Sequence, residues 1–187
     1  MKRIASIHSQ IYNYFHSSNS CQQHFFAPAQ EDEYVAYYNS MYLLRDTTDS
    51  LDDHRSRGFS SNPLVAYLEF WGVMQAINIQ QDAICELHKV VSGASLHTGN
   101  FNAWKQLREL RHLCAGHPAH KSHGGPLTRT FMGRKFGDYR SFKYEIWEKG
   151  LGIKHPNVAL GNLLDSYILE AETALQGVLS DMRVKWP

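Results

Sequence analysis

Residues 62–91 read NPLVAYLEFWGVMQAINIQQDAICELHKVV and are followed by Ser92-Gly93. An asparagine side chain caps exposed amides, a proline at the first helical position loses nothing by lacking an N–H, and a glycine beyond the last turn takes the left-handed conformation. The stretch therefore predicts one helix. Ala66, Phe70, Val73, Ile77, Ile84, Leu87 and Val91 form one apolar stripe, while Leu64, Tyr67, Trp71 and Met74 form a second that turns polar at Asn78 and Gln81. A helix apolar on two sides belongs at the centre of a fold. Residues 31–55 predict another helix, with Glu31, Asp32 and Glu33 in its first turn and Tyr34, Tyr38, Met41, Leu44, Thr48 and Leu51 at helical spacing. A third begins near Pro156 and carries the clearest stripe, including Leu160, Leu164, Ile168, Leu175, Leu179 and Met182. At 1.5 Å per residue the first and third would each be about 43 Å long. A globule of this size has a radius of gyration of about 16 Å, so such helices cross the whole domain side by side. The fold class this predicts is all-α, an antiparallel helical bundle.

The chain reads as a single domain over residues 1–187. Ile4, Ile7, Ile11 and Tyr14 allow a short N-terminal helix, and Ser17-Ser18-Asn19-Ser20 reads as a linker within residues 1–30. Asn102 to Cys114 brings Trp104, Leu107, Leu110 and Leu113 to one side of a shorter helix. Residues 118–155 are too rich in Gly, Pro and β-formers for a helix. They read as an insertion in which Arg129–Gly133 and Ser141–Trp147 form a small β-hairpin. A 43% hydrophobic, 20% charged composition excludes a disordered or collagen-like chain. Cys21, Cys85 and Cys114 are odd in number with no C-x-x-C pair, which argues against a disulfide framework or zinc ribbon and for a cytoplasmic setting. Residues 4–9 lack the apolar run of a secretory leader, and no window approaches the length of a membrane span.

Charge is distributed unevenly. Residues 98–155 hold 11 Lys/Arg against 4 Asp/Glu, while the rest of the chain is acidic. Such asymmetry suits a polyanionic partner or simply a solvated basic face. Inside the basic region lies Leu107-Arg108-Glu109-Leu110-Arg111-His112-Leu113-Cys114-Ala115-Gly116-His117-Pro118. Gly116 and Pro118 predict a helix stop, with Arg111 on the last turn and His117 just past it. A guanidinium grips phosphate oxygens bidentately, and an imidazole moves protons near neutral pH. Scission of RNA by its own 2′-hydroxyl needs those two services and no metal if both are supplied.

An arginine, a polar residue and then a histidine near a helix end, in an all-α bundle, resembles the HEPN domain, whose motif is written R-x(4 to 6)-H. Five residues separate Arg111 from His117, and the Gly-His-Pro ending resembles one subgroup of that family. The run from Trp71-Gly72-Val73-Met74-Gln75-Ala76 to Gln80-Gln81-Asp82-Ala83 is similar to the same subgroup, and the resemblance spans residues 31–183. Many members carry Asn or Asp after the arginine, where this chain has His112. The resemblance implies a metal-independent endoribonuclease with no cofactor, a toxin or anti-phage effector acting as a homodimer, in some cases held by a neutralising partner protein. It implies that Arg111 holds the scissile phosphate, His117 acts as general base or acid, and His112 orients the pair. Many HEPN-like domains are not nucleases, so a non-catalytic module that binds RNA or protein is the alternative.

Two further features belong to the same region. His112, His117, His120 and His123 cluster tightly enough to suggest zinc, but a run holding Pro118, Gly124 and Gly125 has no helical face to align the rings. His120 and His123 fit better as substrate-facing residues on a loop. Arg129, Arg134, Lys135 and Arg140 alternate with Phe131, Phe136, Tyr139 and Phe142, a composition suited to single-stranded RNA or to a hairpin packed on the bundle by its aromatics.

Overall fold

The computed structural model describes residues 1–116 and 127–187. Six α-helices stand among these residues: α1 (Lys2–Ser17), α2 (Asn19–Phe25), α3 (Glu31–Arg57), α4 (Pro63–Ser92), α5 (Asn102–Arg111) and α6 (Leu160–Lys185). None is long and apolar enough to cross a membrane. Helix α4 is central, packed against α3, α5 and α6. Asn62 caps it, Oδ1 accepting from the amides of Leu64 and Val65, and Gly93 ends it at φ 79°. Its first stripe is buried throughout; on its second side Met74 is buried, but Leu64 and Trp71 are 58% and 40% exposed.

Side-chain pairs fix the helix directions. Arg57 meets Glu69 and Thr48 meets Gln80, so α3 and α4 are antiparallel. Likewise α1 and α3 are antiparallel, since the Met1 amino group meets Asp52 and His8 meets Met41. Gln81 reaches Trp104 and Gln75 reaches Arg111, which reverses α5 against α4. Tyr167 bonds Gln80 and Lys185 bonds Val91, so α6 runs with α4. Apart from the short α2, successive helices thus alternate, with α1, α4 and α6 pointing one way and α3 and α5 the other.

Buried polar groups knit this core. Gln80, fully buried, donates to Thr47 and Thr48 of α3 at 3.3 and 2.9 Å and accepts from the Tyr167 hydroxyl of α6 at 2.9 Å. An amide with both ends satisfied costs little to bury, whereas a half-satisfied one is expensive.

The insertion is more than a hairpin. Strands β1 (Thr128–Phe131), β3 (Glu145–Glu148) and β4 (Gly152–Lys154) form an antiparallel sheet in the order β1-β3-β4, and β2 (Phe142–Lys143) pairs with β5 (Asn157–Val158). The expected partners of Arg129–Phe131 are there in β3, but Phe142 and Lys143 pair elsewhere. That pairing also corrects the start of the last helix. Asn157 and Val158 commit their backbone to β2, and α6 begins only at Leu160.

Three smaller corrections concern the N-terminal half. The expected linker is no linker: Ser18 accepts from the Cys21 amide at 3.2 Å and starts α2. Phe15 rather than Tyr14 completes the buried stripe of α1, and Tyr37 rather than Tyr38 that of α3. Adjacent helical positions differ by about 100°, so a stripe that drifts by one residue inverts such pairs.

Candidate functional site

One face of α4 holds α5 in place. Trp71, Gln75, Asn78 and Asp82 recur at steps of four, three and four residues, which puts them in one row. The Asp82 carboxylate pairs with Arg108 and accepts from Asn78 at 3.0 Å. Gln75 Oε1 accepts from Arg111 Nη2 at 3.1 Å, and the Trp71 indole donates to the Cys114 carbonyl at 3.3 Å. Beside the row, buried Gln81 donates to the Trp104 carbonyl at 3.1 Å. At the far end the Glu170 carboxylate of α6 accepts from the amides of Ala103 and Trp104 at 3.0 and 2.7 Å. Those amides open α5 and have no partner within the helix. In the run Asn78 to Asp82 the glutamines lie in the core, the asparagine is half-buried and the aspartate is exposed.

Beyond Arg111 the helix does not stop. His112–Gly116 widens into a π-helical turn, a feature that tends to mark functional positions. Gly116 is not left-handed, contrary to the expected glycine stop. The turn keeps its backbone helical, and Trp71 takes up the Cys114 carbonyl. Arg111 folds back over this turn, so that a Cβ on Gly116 would lie 3.2 Å from Nη1. Its Nε is buried without a hydrogen-bond partner, and no carboxylate lies within ion-pair distance of it, among the described residues. His112, half-buried, opens the turn. His117, His120 and His123 lie outside the described residues, as does most of the histidine cluster considered for zinc.

The insertion abuts this turn through β1. Burial pushes the Cys114 thiol up to about 12, which removes it as a nucleophile near neutral pH. Burial also raises the Tyr144 and Tyr67 phenols, both close to that thiol, and Glu109 adds to the effect at Tyr144. Tyr144 shares a groove of about 380 Å³ with Lys135, Lys143 and His155. Arg134 is exposed next to Gly133, which lines the same groove. Arg129 lies over the Trp147 ring at 5.3 Å. Arg140 follows Tyr139, whose hydroxyl is 2.7 Å from His54 Nδ1 on α3. The expected cations are thus exposed, and of them Lys135 lines the groove.

The aromatics divide differently. Phe142 is fully buried and stacks on Phe70 at 4.5 Å, and Phe136 packs against both. Their faces are closed to a nucleobase. Phe131 remains 52% exposed. Sequence reasoning gave Gln75 and Trp71 no role at the motif, although their row with Asn78 and Asp82 was a readable signal. Comparison with family models, with curated proteins and with solved structures finds no match to this chain.

Proposed function

We propose that the chain is a HEPN-like, metal-independent endoribonuclease in which Arg111 and His117 act on a phosphodiester of single-stranded RNA. The observation that carries this reading is the state of Arg111. Its guanidinium is held by Gln75 on one side, has no carboxylate partner among the described residues, and belongs to the last residue of α5, before the π-helical turn His112–Gly116 that His117 follows in sequence. Arg108, on the same helix, is by contrast neutralised by Asp82. A guanidinium positioned but electrically unspent is suited to a phosphorane's developing charge.

In the proposed reaction the 2′-oxygen loses its proton to an imidazole and bonds to phosphorus. The bond from phosphorus to the 5′-oxygen then breaks, and that oxygen takes a proton from a second imidazole. The products are a 2′,3′-cyclic phosphate and a 5′-hydroxyl. Two imidazoles come from two copies of the chain. Leu64, Val65, Leu68 and Trp71, all 40% or more exposed, make an apolar face on α4 next to Gln75 and Arg111. In this reading a second copy covers that face and brings its own Arg111 and His117 to the same cleft. Lys135 and Lys143 would follow the phosphates through the groove beside Tyr144. Toxin or defence activity, a neutralising partner and a cytoplasmic setting belong to the same proposal.

The test is incubation with single-stranded RNA in excess chelator. The parent chain cleaves, and Arg111→Ala and His117→Ala each lose at least about a hundredfold in rate. Cleavage retained in both variants overturns the assignment. Tight RNA binding without cleavage moves it to the second reading, a non-catalytic module docking through its exposed cations.

A further inference from the structure

We infer that the groove between α1 and α3 docks a cationic, proline-rich segment of a partner protein. Tyr12 and His16 stand one turn apart on α1, with ring centroids 4.3 Å apart. Tyr34, Tyr38 and Tyr42 follow at four-residue steps on α3, and Phe26 closes one end against Tyr34 at 5.2 Å. Two adjoining hollows of about 280 and 570 Å³ share His8, Tyr12 and Arg45. Tyr12, Phe26, Tyr38 and Tyr42 are 49–61% exposed. Four large rings left open side by side amount to an unpartnered apolar patch, the kind of surface that marks an interaction site.

Hydrogen bonding and charge choose the occupant. The hydroxyls of Tyr12, Tyr38 and Tyr42 have no partner among the described residues. Tyr37, which lines the smaller hollow and is only 4% exposed, has an orphaned hydroxyl. Phenol donors without acceptors suit a polyproline II strand, whose carbonyls are free because it makes no internal hydrogen bonds. Its proline rings lie flat on aromatic walls. From Tyr34 to Tyr42 the row is about 12 Å long, room for about four residues of such a strand.

Carboxylates crowd both ends. Glu31, Asp32 and Glu33 fill the turn before Tyr34, Glu33 facing His24 at 3.3 Å, and Asp46 and Asp49 lie beyond Tyr42, Asp49 being the one of the five that lines a hollow. Arg45 is the arginine of the groove; it is paired with Asp46 at 3.4 Å, and its guanidinium rests over the Tyr42 ring at 4.9 Å. Asp49, which lines the larger hollow, is exposed and has no ion-pair partner among the described residues. The excess of carboxylates repels a nucleic-acid backbone and attracts arginine or lysine, which also sit well on aromatic faces.

Fluorescence anisotropy with a pooled set of labelled peptides, prolines spaced through each and arginine at either end, tests this. The arginine peptides bind saturably, and versions with glutamate for arginine bind at least about tenfold more weakly. Tyr38→Ala with Tyr42→Ala, and separately Asp49→Lys, each weaken binding by about tenfold or more while circular dichroism keeps the parent spectrum. Arg111→Ala binds the peptides as the parent does, which separates this site from the proposed nuclease. No saturable binding, binding indifferent to the tyrosines and Asp49, equal binding of the glutamate peptides, or displacement by single-stranded RNA would each overturn the proposal.

Discussion

At the scale of single residues, Arg111 differs from its neighbour Arg108 in what it touches. Arg108 meets a carboxylate, whereas Arg111 meets an uncharged amide and leaves its charge unspent. Lysine at position 111 keeps that charge but loses the planar fork, so Arg111→Lys should retain RNA binding while cleavage falls at least about tenfold, a split readable as unchanged KM with reduced kcat. Gly116→Ala should act on the same group from below. The new methyl would press on Nη1, and because Gly116 has no positive φ the backbone tolerates it. Its cleavage rate should drop while its melting temperature stays within a few degrees of the parent. Arg111 was legible in the sequence as a residue worth naming. Its contact with Gln75 was not, since that depends on two helices meeting in one register.

His54 supplies a residue-scale prediction of a different kind. It is 6% exposed, with Nδ1 on the Tyr139 hydroxyl and Nε2 lacking a hydrogen-bond partner, 3.8 Å from Glu69. Burial, and then the nearby Arg57 cation, hold its pKa below the usual 6.5, against the pull of Glu69. The unfolded chain therefore binds more protons here than the folded one. Stability from this residue is complete above that ordinary value and is lost as pH falls toward the lower folded one. His8, also lowered by burial, has the same sign. Urea denaturation should show the parent less stable at about pH 5 than at about pH 7.5, and His54→Gln should flatten that difference. An unchanged slope in the variant would remove His54 from the account.

At the scale of elements, α5 is a short helix held from outside. Ten residues rarely hold a helix in water alone, and Phe101 provides no side-chain cap. Glu170 substitutes for the missing cap from another helix. Glu170→Ala should cost about 1–2 kcal/mol of unfolding free energy by chemical denaturation, and more than Glu172→Ala, whose partner Arg3 is exposed. Element identity was largely legible: α3 and α4 appear nearly where periodicity, the Asn62-Pro63 start and Gly93 put them. What local pattern could not show is the non-local part. The β2–β5 pair joins residues 14 and 16 apart and overrides Pro156 as a helix start, and the π-turn after Arg111 coincides with the Trp71 indole's reach to a carbonyl.

At the scale of the whole molecule, alternating helices place two distinct surfaces on one bundle. The α4 face of Leu64, Leu68 and Trp71 adjoins the arginine, and the aromatic groove lies between α1 and α3. If a second copy covers the first, Leu68→Glu should shift sedimentation from dimer to monomer and abolish cleavage together, with the helical spectrum preserved. The bundle itself follows from helix length alone, since two helices this long have nowhere to lie except beside each other. Directions within it, and which rings of the insertion turn inward, are set by packing that no single window of sequence contains.

In the proposed reaction the 2′-hydroxyl of the RNA is itself the nucleophile, served by Arg111 and His117. The most direct measurement is end-group analysis of a labelled RNA cut in excess chelator, alongside the same RNA carrying a single 2′-deoxy sugar at the cut position. The account predicts 2′,3′-cyclic phosphate and 5′-hydroxyl ends and no cut at the deoxy site. Cleavage there, or products bearing 5′-phosphates, would contradict it.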